Sequence, residues 1–159
     1  MSQPKAAAVV ALAALAVAGL VGCSMLGSLF GKGTPTTSLR SIAVIAEASA
    51  NLDSATALDV LFVYDSSVLP LLPANGPAWF AQKPGLANTL GTAVDIVSLQ
   101  VPPPYRLAAV ALPARYRHAI RVVAYANYLT PAGQTPINLT TFKHATLTLL
   151  ADSIQCSGA

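Results

Sequence analysis

The side chains that could catalyse a reaction are few and widely spaced. The sequence contains no GxSxG or HExxH motif, no glycine-rich phosphate-binding loop and no pair of cysteines at metal-binding spacing. His118 and His144 lie on separate segments, and neither has a second potential ligand close in sequence. Asp59 and Asp65 share one face of a predicted strand, where they either act as an acid–base pair or line the solvent face and bind turn amides. We therefore predict no catalytic residue, no metal site and no cofactor, and a protein that is not an enzyme.

Cys23 is the residue with the clearest chemical role. Lys5 precedes an apolar run over residues 6–21, which is shorter than the roughly 20 apolar residues of a membrane-spanning helix and is typical of a secretory signal. The run ends in Leu20-Val21-Gly22-Cys23, which resembles the lipobox of bacterial lipoproteins. The resemblance implies a signal peptide over residues 1–22 and a Cys23 thiol that carries a covalent lipid labelled by palmitate. Ser24 in the next position implies sorting to the outer membrane. The alternative interpretation of the apolar run is an uncleaved transmembrane anchor followed by an incidental cysteine.

Size and charge limit what the mature chain is expected to do. Removing 22 of the 159 residues leaves 137, which is enough for one domain with its own core. The net charge of +3 falls to +2 when Lys5 is lost, which is too mild for a nucleic-acid-binding protein. The nearest basic cluster is interpreted as an exposed loop and strand start, or as a patch that faces phospholipid headgroups or an acidic partner: Arg106, Arg115, Arg117, His118 and Arg121.

The second cysteine, Cys156, lies three residues from the C-terminus. With Cys23 committed to lipid, the mature chain has no second thiol for an internal disulfide. We predict a structural thiol near a frayed end rather than a functional crosslink.

Residues 23–38 predict a lipidated, flexible tether. They are rich in Gly, Ser and Thr, and Pro35 interrupts them. The predicted domain then occupies residues 39–159.

An alternation typical of strands begins at Leu39. Many short strands separated by turns predict an all-β domain, either a small sandwich or a barrel. The residues from 120 to 128 give the strongest pattern, so we expect this strand to be central. The predicted strands are residues 41–47, 58–64, 93–101, 107–112, 120–128, 137–142 and 145–151.

The strand pattern fails between residues 69 and 90. Pro77 suits the first turn of a helix, and it is followed by Trp79 and Phe80. We predict a short helical insert that caps one end or side of the sandwich, with the two aromatic rings closing the core.

The order of these features resembles the TssJ-like family, the outer-membrane lipoproteins of the type VI secretion membrane complex. The sequence departs from that family at Asn51-Leu52-Asp53, where Asn-Pro-Asp is common, and at Val101-Pro102-Pro103, where a Pro-Gly turn is usual. The matching features are the lipobox, a first strand over 39–47, a polar loop over 48–57, a strand over 58–65, the Trp79-Phe80 insert, the proline-rich turn at 101–103 and a late strand over 120–125.

The resemblance implies a transthyretin-like two-sheet β-sandwich, tethered to the periplasmic face of the outer membrane. It also implies a binding function, in which the domain holds the periplasmic domain of a TssM-type inner-membrane partner and so anchors the secretion complex. The loop over residues 48–57 is expected to make much of the contact and to contribute little to the core; the alternative is an ordinary hairpin connection. The expected partner-binding residues are Asn51, Leu52, Asp53 and Ser54.

Two other functions stay open at this point. A pilotin-like envelope-assembly lipoprotein would share the lipobox and the size. A small lipid- or solute-binding lipoprotein would need an apolar cavity inside the sandwich.

Overall fold

Secondary structure starts at Ser41 in a computed structural model that describes residues 34–159. These residues form a compact unit of their own. The predictions for the signal peptide, for Cys23 and for the tether up to residue 33 lie outside the described residues. At the start of the described chain, the Thr37 and Ser38 amides donate to the carbonyl oxygens of Ala119 (2.7 Å) and Thr140 (3.0 Å). The chain is thus bound to the domain from Thr37 onward.

Within residues 34–159, eight strands form two four-stranded sheets, which confirms the predicted two-sheet sandwich. The first sheet has the order β4-β1-β7-β8 and the second has the order β3-β2-β5-β6. All strand pairs are antiparallel except β1 with β7, which run parallel. The strands are β1 Ser41–Ala46, β2 Thr56–Val63, β3 Val94–Val101, β4 Tyr105–Leu107, β5 Arg121–Ala126, β6 Ile137–Asn138, β7 His144–Leu149 and β8 Ile154–Gly158.

Between β2 and β3 the chain forms the predicted helical insert. It contains the 3₁₀ segment Ser66–Leu71, the helix Gly76–Leu90 and the 3₁₀ turn Gly91–Ala93. Pro77 lies in the first turn of the helix, and the Asn75 side chain caps it by accepting a hydrogen bond from the Ala78 amide at 2.9 Å. Two further 3₁₀ turns, Tyr116–His118 and Pro131–Gly133, lie on either side of β5. No helix among residues 34–159 has the length and apolar character needed to cross a membrane.

The second sheet is buried on both of its faces. Leu58, Val60 and Phe62 of β2 face the first sheet and belong to the inter-sheet core. Leu61 and Val63 belong to a second core, which lies between this sheet and the helical insert and contains the fully buried Trp79. The insert therefore covers the outer face of the second sheet, and Trp79 closes that second core while Phe80 packs beside it, half-buried.

Three predictions of extent are corrected. The strand expected over 107–112 is wrong except at Leu107, the last residue of β4, and the chain beyond it is held by one bond from the Val110 amide to the Ile42 oxygen at 2.8 Å. The strand expected over 137–142 is only β6, because a turn with a Phe142 amide to Leu139 oxygen bond of 3.3 Å ends it. The C-terminal segment was expected to fray and instead forms β8.

Candidate partner-binding site

The predicted contact loop contains one tight turn, Ala50–Asp53, with unusual backbone angles. Asn51, Leu52 and Asp53 have φ values of 51°, 55° and 61°, in the left-handed region that residues other than glycine rarely adopt. The turn is fixed to the loop between β7 and β8. The Asn51 amide donates to the Leu150 oxygen at 2.9 Å, and the Leu52 amide donates to the Ala151 oxygen at 3.1 Å.

Asn51 lies inside the domain, which corrects its expected place on the binding surface. Its exposed fraction is 1%, and its Oδ1 atom accepts a hydrogen bond from the Leu129 amide at 2.8 Å. Asparagine tolerates the left-handed conformation better than most residues, which fits its position at the start of the turn. Ala50 is buried as well. The expectation that this loop contributes little to the core is therefore wrong for Ala50 and Asn51.

The second half of the turn faces solvent. Leu52 is 55% exposed, Asp53 is exposed and Ser54 is half-buried. A second leucine, Leu129, is 61% exposed on the loop that Asn51 binds. Sequence reasoning missed Leu129 because it follows a predicted strand directly, and alternation alone does not tell whether the first residue past a strand packs inward or projects outward.

Buried polar contacts hold the Leu129 loop in place. The Tyr128 hydroxyl donates to the Leu150 oxygen at 2.7 Å, and the Gln134 side-chain amide donates to the Tyr128 oxygen at 2.9 Å. Burial raises the pKa of Tyr128 to about 12, so the hydroxyl stays protonated and remains a donor. Three loops, around Asn51, Tyr128 and Leu150, are thus joined through internal hydrogen bonds.

The end of the sandwich that carries these loops is acidic. We call it the loop end and define it as residues 47–55, 102–104, 127–136 and 150–153, which connect the strands there. Glu47, Asp53 and Asp152 are exposed in these loops, and the loops contain no Lys or Arg. The arrangement offers two projecting apolar side chains beside carboxylates, which suits a partner with apolar pockets and basic groups around them.

Asp59 is buried, which corrects its expected solvent exposure. The carboxylate is 1% exposed and accepts hydrogen bonds from Trp79 Nε1 at 2.7 Å and from Lys83 Nζ at 2.8 Å. Trp79 also stacks on Tyr125 with 5.3 Å between ring centres. These contacts join the helix to the second sheet, so the role of Asp59 is structural.

The remaining groups singled out in the sequence are dispersed. Asp65 accepts a hydrogen bond from the Ser67 amide at 2.8 Å, and this bonding lowers the pKa of its carboxyl, in line with the turn-amide alternative. His144 pairs with the Ser41 hydroxyl at 2.9 Å, and residues 34–159 contain no group of three potential metal ligands around either histidine. Cys156 lies in β8 against the inter-sheet core, where burial raises the pKa of its thiol.

The hollows on the surface of residues 34–159 include two shallow ones, neither of which lies between the sheets. The first, about 190 Å³, is bordered by Leu69, Leu72 and Tyr125 under the helical insert. The second, about 250 Å³, lies beside Tyr105 at the edge of the first sheet. Both are smaller than the roughly 300–1,000 Å³ of typical ligand pockets. The solute-binding alternative therefore gains no support from these hollows.

Two solved structures of secretion-system lipoproteins resemble this domain. The crystal structure of the T6SS lipoprotein TssJ1 from Pseudomonas aeruginosa superimposes with a TM-score of 0.58 and 15% sequence identity, over 79% of this chain and 98% of that chain. Lip from Serratia marcescens, a membrane-bound component of the type VI secretion system, superimposes with a TM-score of 0.50 and 14% identity, over 75% of this chain and 96% of that chain. The chain has a TssJ-like fold.

The TssJ-like fold confirms, at the level of structure, the resemblance inferred from the order of sequence features. A scan against protein-family models and a search of curated protein sequences find no match.

Proposed function

We propose that the chain is a lipoprotein anchored through Cys23 to the periplasmic face of the outer membrane. In this proposal it binds the periplasmic domain of a TssM-type inner-membrane protein and anchors a type VI secretion membrane complex, with no enzymatic activity. The proposal is supported by the TssJ-like fold, which spans 98% of the TssJ1 chain. The lipobox supports the anchoring part, because several acyl chains hold a protein on a membrane far more firmly than one.

The observation that carries the binding part is the outward position of Leu52 over the buried Asn51. The left-handed turn costs roughly 1–2 kcal/mol per non-glycine residue, and the surrounding hydrogen bonds hold it in place. A rigid turn loses little conformational entropy on binding. The proposed contact consists of Leu52, Asp53 and Ser54, extended by Leu129 of the neighbouring loop.

The test compares single leucine truncations in binding to the purified periplasmic domain of the TssM-type protein encoded by the same organism. Leu52→Ala and Leu129→Ala should each weaken binding about tenfold, the effect of an interface hot spot of ~1.4 kcal/mol, with little change in melting temperature. The matched control is Leu71→Ala, because Leu71 is also exposed, at 44%, but lies on the helical insert. Equal binding by the Leu52 and Leu71 variants would show that the partner docks elsewhere.

Leu52→Gly separates binding from folding. Glycine adopts a φ of 55° without steric cost, so this variant should be as stable as wild type or more stable, by up to about 1 kcal/mol. It should nevertheless lose partner affinity as Leu52→Ala does. A large fall in stability would place Leu52 in the core and contradict its proposed role. Replacing the whole loop by Gly and Ser is a poorer test, because Ala50 and Asn51 are buried.

Anchoring is tested separately. Cys23→Ser should leave the precursor uncleaved and without palmitate label, because serine offers no thiolate to the lipid donor. Ser24→Asp should retain the protein at the inner membrane. Equal labelling of Cys23→Ser and wild type would refute the lipoprotein proposal, and an unchanged outer-membrane fraction for Ser24→Asp would refute the sorting argument.

A further inference from the structure

Charge is distributed unequally between the two ends of the sandwich. The charged side chains of the loop end are all acidic, whereas four exposed basic residues outside the Arg115–Asp95 ion pair lie at the opposite end, which we call the basic end: Arg40, Arg117, Arg121 and Lys143. Arg40 directly precedes β1, Arg121 begins β5 and Lys143 directly precedes β7. β1 and β7 are parallel, so they start at the same end. β2 starts at the loop end, where β1 finishes, and β5 is antiparallel to β2, so β5 starts at the same end as β1. The domain is therefore electrically polarised along its strands.

The segment Thr37–Arg40 brings these residues together. The Arg40 amide donates to the Lys143 oxygen at 2.7 Å, and the Thr37 amide donates to the Ala119 oxygen at 2.7 Å, next to the Arg117–His118 turn. The segment thus lies between the two loops that carry Arg117 and Lys143.

The four basic side chains are free of internal neutralisation. The ion pairs within residues 34–159 join Lys83 to Asp59 and Arg115 to Asp95, so none involves these four side chains. The acidic side chains nearby are Asp65, exposed beyond β2, and Asp95 near the start of β3, whose charge is paired with Arg115. The Ala159 oxygen accepts bonds from the Lys143 amide at 2.6 Å and the His144 amide at 3.0 Å. The four unpaired basic side chains therefore give this end of the domain an excess of positive charge.

The predicted tether joins the domain at the same end. Residue 34 leads into the Thr37–Arg40 segment, and the sequence before it adds Lys32. The 11 peptide units from Cys23 to Thr34 span at most about 40 Å when fully extended. A lipid on Cys23 would therefore attach the domain to the membrane through its basic end, at a distance of up to about 40 Å.

We propose that the basic end binds a membrane surface rich in anionic phospholipid, through the phosphate groups of the lipid headgroups. The choice of membrane rests on the proposed function, whereas headgroup binding is a property of the domain alone. Binding at the basic end directs the loop end, with Leu52 and Leu129, away from the bilayer and toward the periplasm. The charge pattern thus orients the domain, a task that a flexible tether does not perform.

The experiment uses the unlipidated mature chain, residues 24–159, whose residues 34–159 form their own compact unit. Its partition onto vesicles of phosphatidylcholine with about one-third phosphatidylglycerol is compared with that onto phosphatidylcholine alone by sedimentation. Each basic residue near an anionic surface contributes roughly fivefold in affinity. The triple variant Arg40→Gln, Arg117→Gln, Lys143→Gln should bind the anionic vesicles roughly 100-fold more weakly.

Single variants provide the matched control and guard against misfolding. Arg117→Gln should lose roughly fivefold in vesicle binding. Arg106→Gln is the matched control, because Arg106 is also an exposed arginine. It should lose less than twofold in vesicle binding, because Arg106 lies in β4 opposite Ile45, toward the loop end. Wild-type binding should disappear in 1 M salt, where the screening length is about 3 Å. All melting temperatures are measured alongside.

Three results would overturn the proposal. Unchanged vesicle binding by the triple variant, or equal binding to neutral vesicles, would assign the contact to the apolar residues of the tether. Absence of binding to anionic vesicles at low salt would show that the basic end does not bind lipid headgroups. The outcome is separable from the proposed function, because the triple variant should bind the TssM-type domain in solution like wild type, and Leu52→Ala should bind vesicles like wild type.

Discussion

The Oδ1 atom of Asn51 lies 2.8 Å from the backbone nitrogen of Leu129, and this hydrogen bond joins two loops that each project a leucine into solvent. The two loops are 78 residues apart in sequence. Through this contact Asn51 sets the positions of Leu52 and Leu129 relative to each other while remaining inaccessible to a partner. It is a positioning residue for the proposed contact.

Asn51→Ala should destabilise the domain by about 2–3 kcal/mol. The change leaves the Leu129 amide without its acceptor, at about 1–2 kcal/mol, and places a non-glycine residue with no polar side chain at φ 51°. The measurement is the free energy of unfolding in urea. Asn51→Gly is the matched control, because it removes the hydrogen bond but accepts the φ value, and it should lose only the hydrogen-bond part. Equal losses in the two variants would show that the backbone angle contributes nothing.

The loop illustrates what the sequence allows to be predicted and what it does not. The segment was identified as the contact loop by its resemblance to a family, and its composition is polar, which suggested exposure throughout. The direction of each side chain depends on three successive positive φ values. Asn51 and Asp53 tolerate the left-handed region, but the propensity of Leu52 is against it. Such a conformation is imposed by the neighbouring Leu150 and Leu129 loops, which are distant in sequence.

Strand existence was more predictable than strand extent. The patterns around β1, β2, β3, β5 and β7 are strong. Of these strands, β1, β2, β5 and β7 form the interior of the sheets and β3 is an edge strand. The segment at β8 alternates over only four residues, from Ile154 to Ser157, and β8 pairs only with β7 at the edge of the first sheet. Its formation depends on a partner strand rather than on its own pattern.

Asp59 shows why burial of a polar residue is hard to read from alternation. Its position on β2 was assigned correctly to the face opposite Leu58 and Val60, but that face was taken as solvent-exposed. The helical insert covers it instead, and Trp79 and Lys83 supply the hydrogen bonds that make burial of a carboxylate tolerable.

Asp59→Ala should cost about 2–3 kcal/mol of folding free energy, because it leaves the Trp79 indole N–H buried without an acceptor. Asp59→Asn keeps an acceptor for the indole and loses only the charge, so it should cost less. Trp79 is the single tryptophan of the chain, so its fluorescence reports directly on the interface between the helix Gly76–Leu90 and the second sheet. If the alanine and asparagine variants have the same stability and the same emission maximum, the hydrogen bond is not what holds the helix.

The stability of the folded domain at acidic pH should depend on the charge of Asp95. Arg115 donates two hydrogen bonds to this carboxylate, from Nε and Nη2 at 3.0 Å each, and the Tyr64 hydroxyl donates a third. These bonds hold the pKa of Asp95 below its usual value, although desolvation acts to raise it. A depressed folded-state pKa contributes stability above the unfolded pKa of roughly 4 and loses it as the pH falls through the folded value.

Asp95→Asn should therefore lower the melting temperature at pH 7, and its difference from wild type should shrink as the pH falls below about 4. The effect should be small, because the two side chains of the ion pair are 43% and 33% exposed. Melting curves between neutral pH and pH 2 provide the measurement. A difference that stays constant over this range would mean that the Asp95 charge does not contribute to stability.

The helix Gly76–Leu90 contains two glycines that should respond in opposite ways to the same substitution. A Cβ atom at Gly76 would lie 1.9 Å from the Ala126 backbone oxygen, so Gly76→Ala forces the start of the helix away from β5. A Cβ atom at Gly85 meets nothing within 4 Å.

We expect Gly76→Ala to destabilise the domain by about 2–3 kcal/mol through overpacking against backbone. Gly85→Ala should stabilise it by up to about 1 kcal/mol, because alanine is the better helix former. Urea unfolding followed by Trp79 fluorescence measures both. If Gly76→Ala unfolds at the wild-type urea concentration, the helix does not pack against β5 as closely as this structure describes.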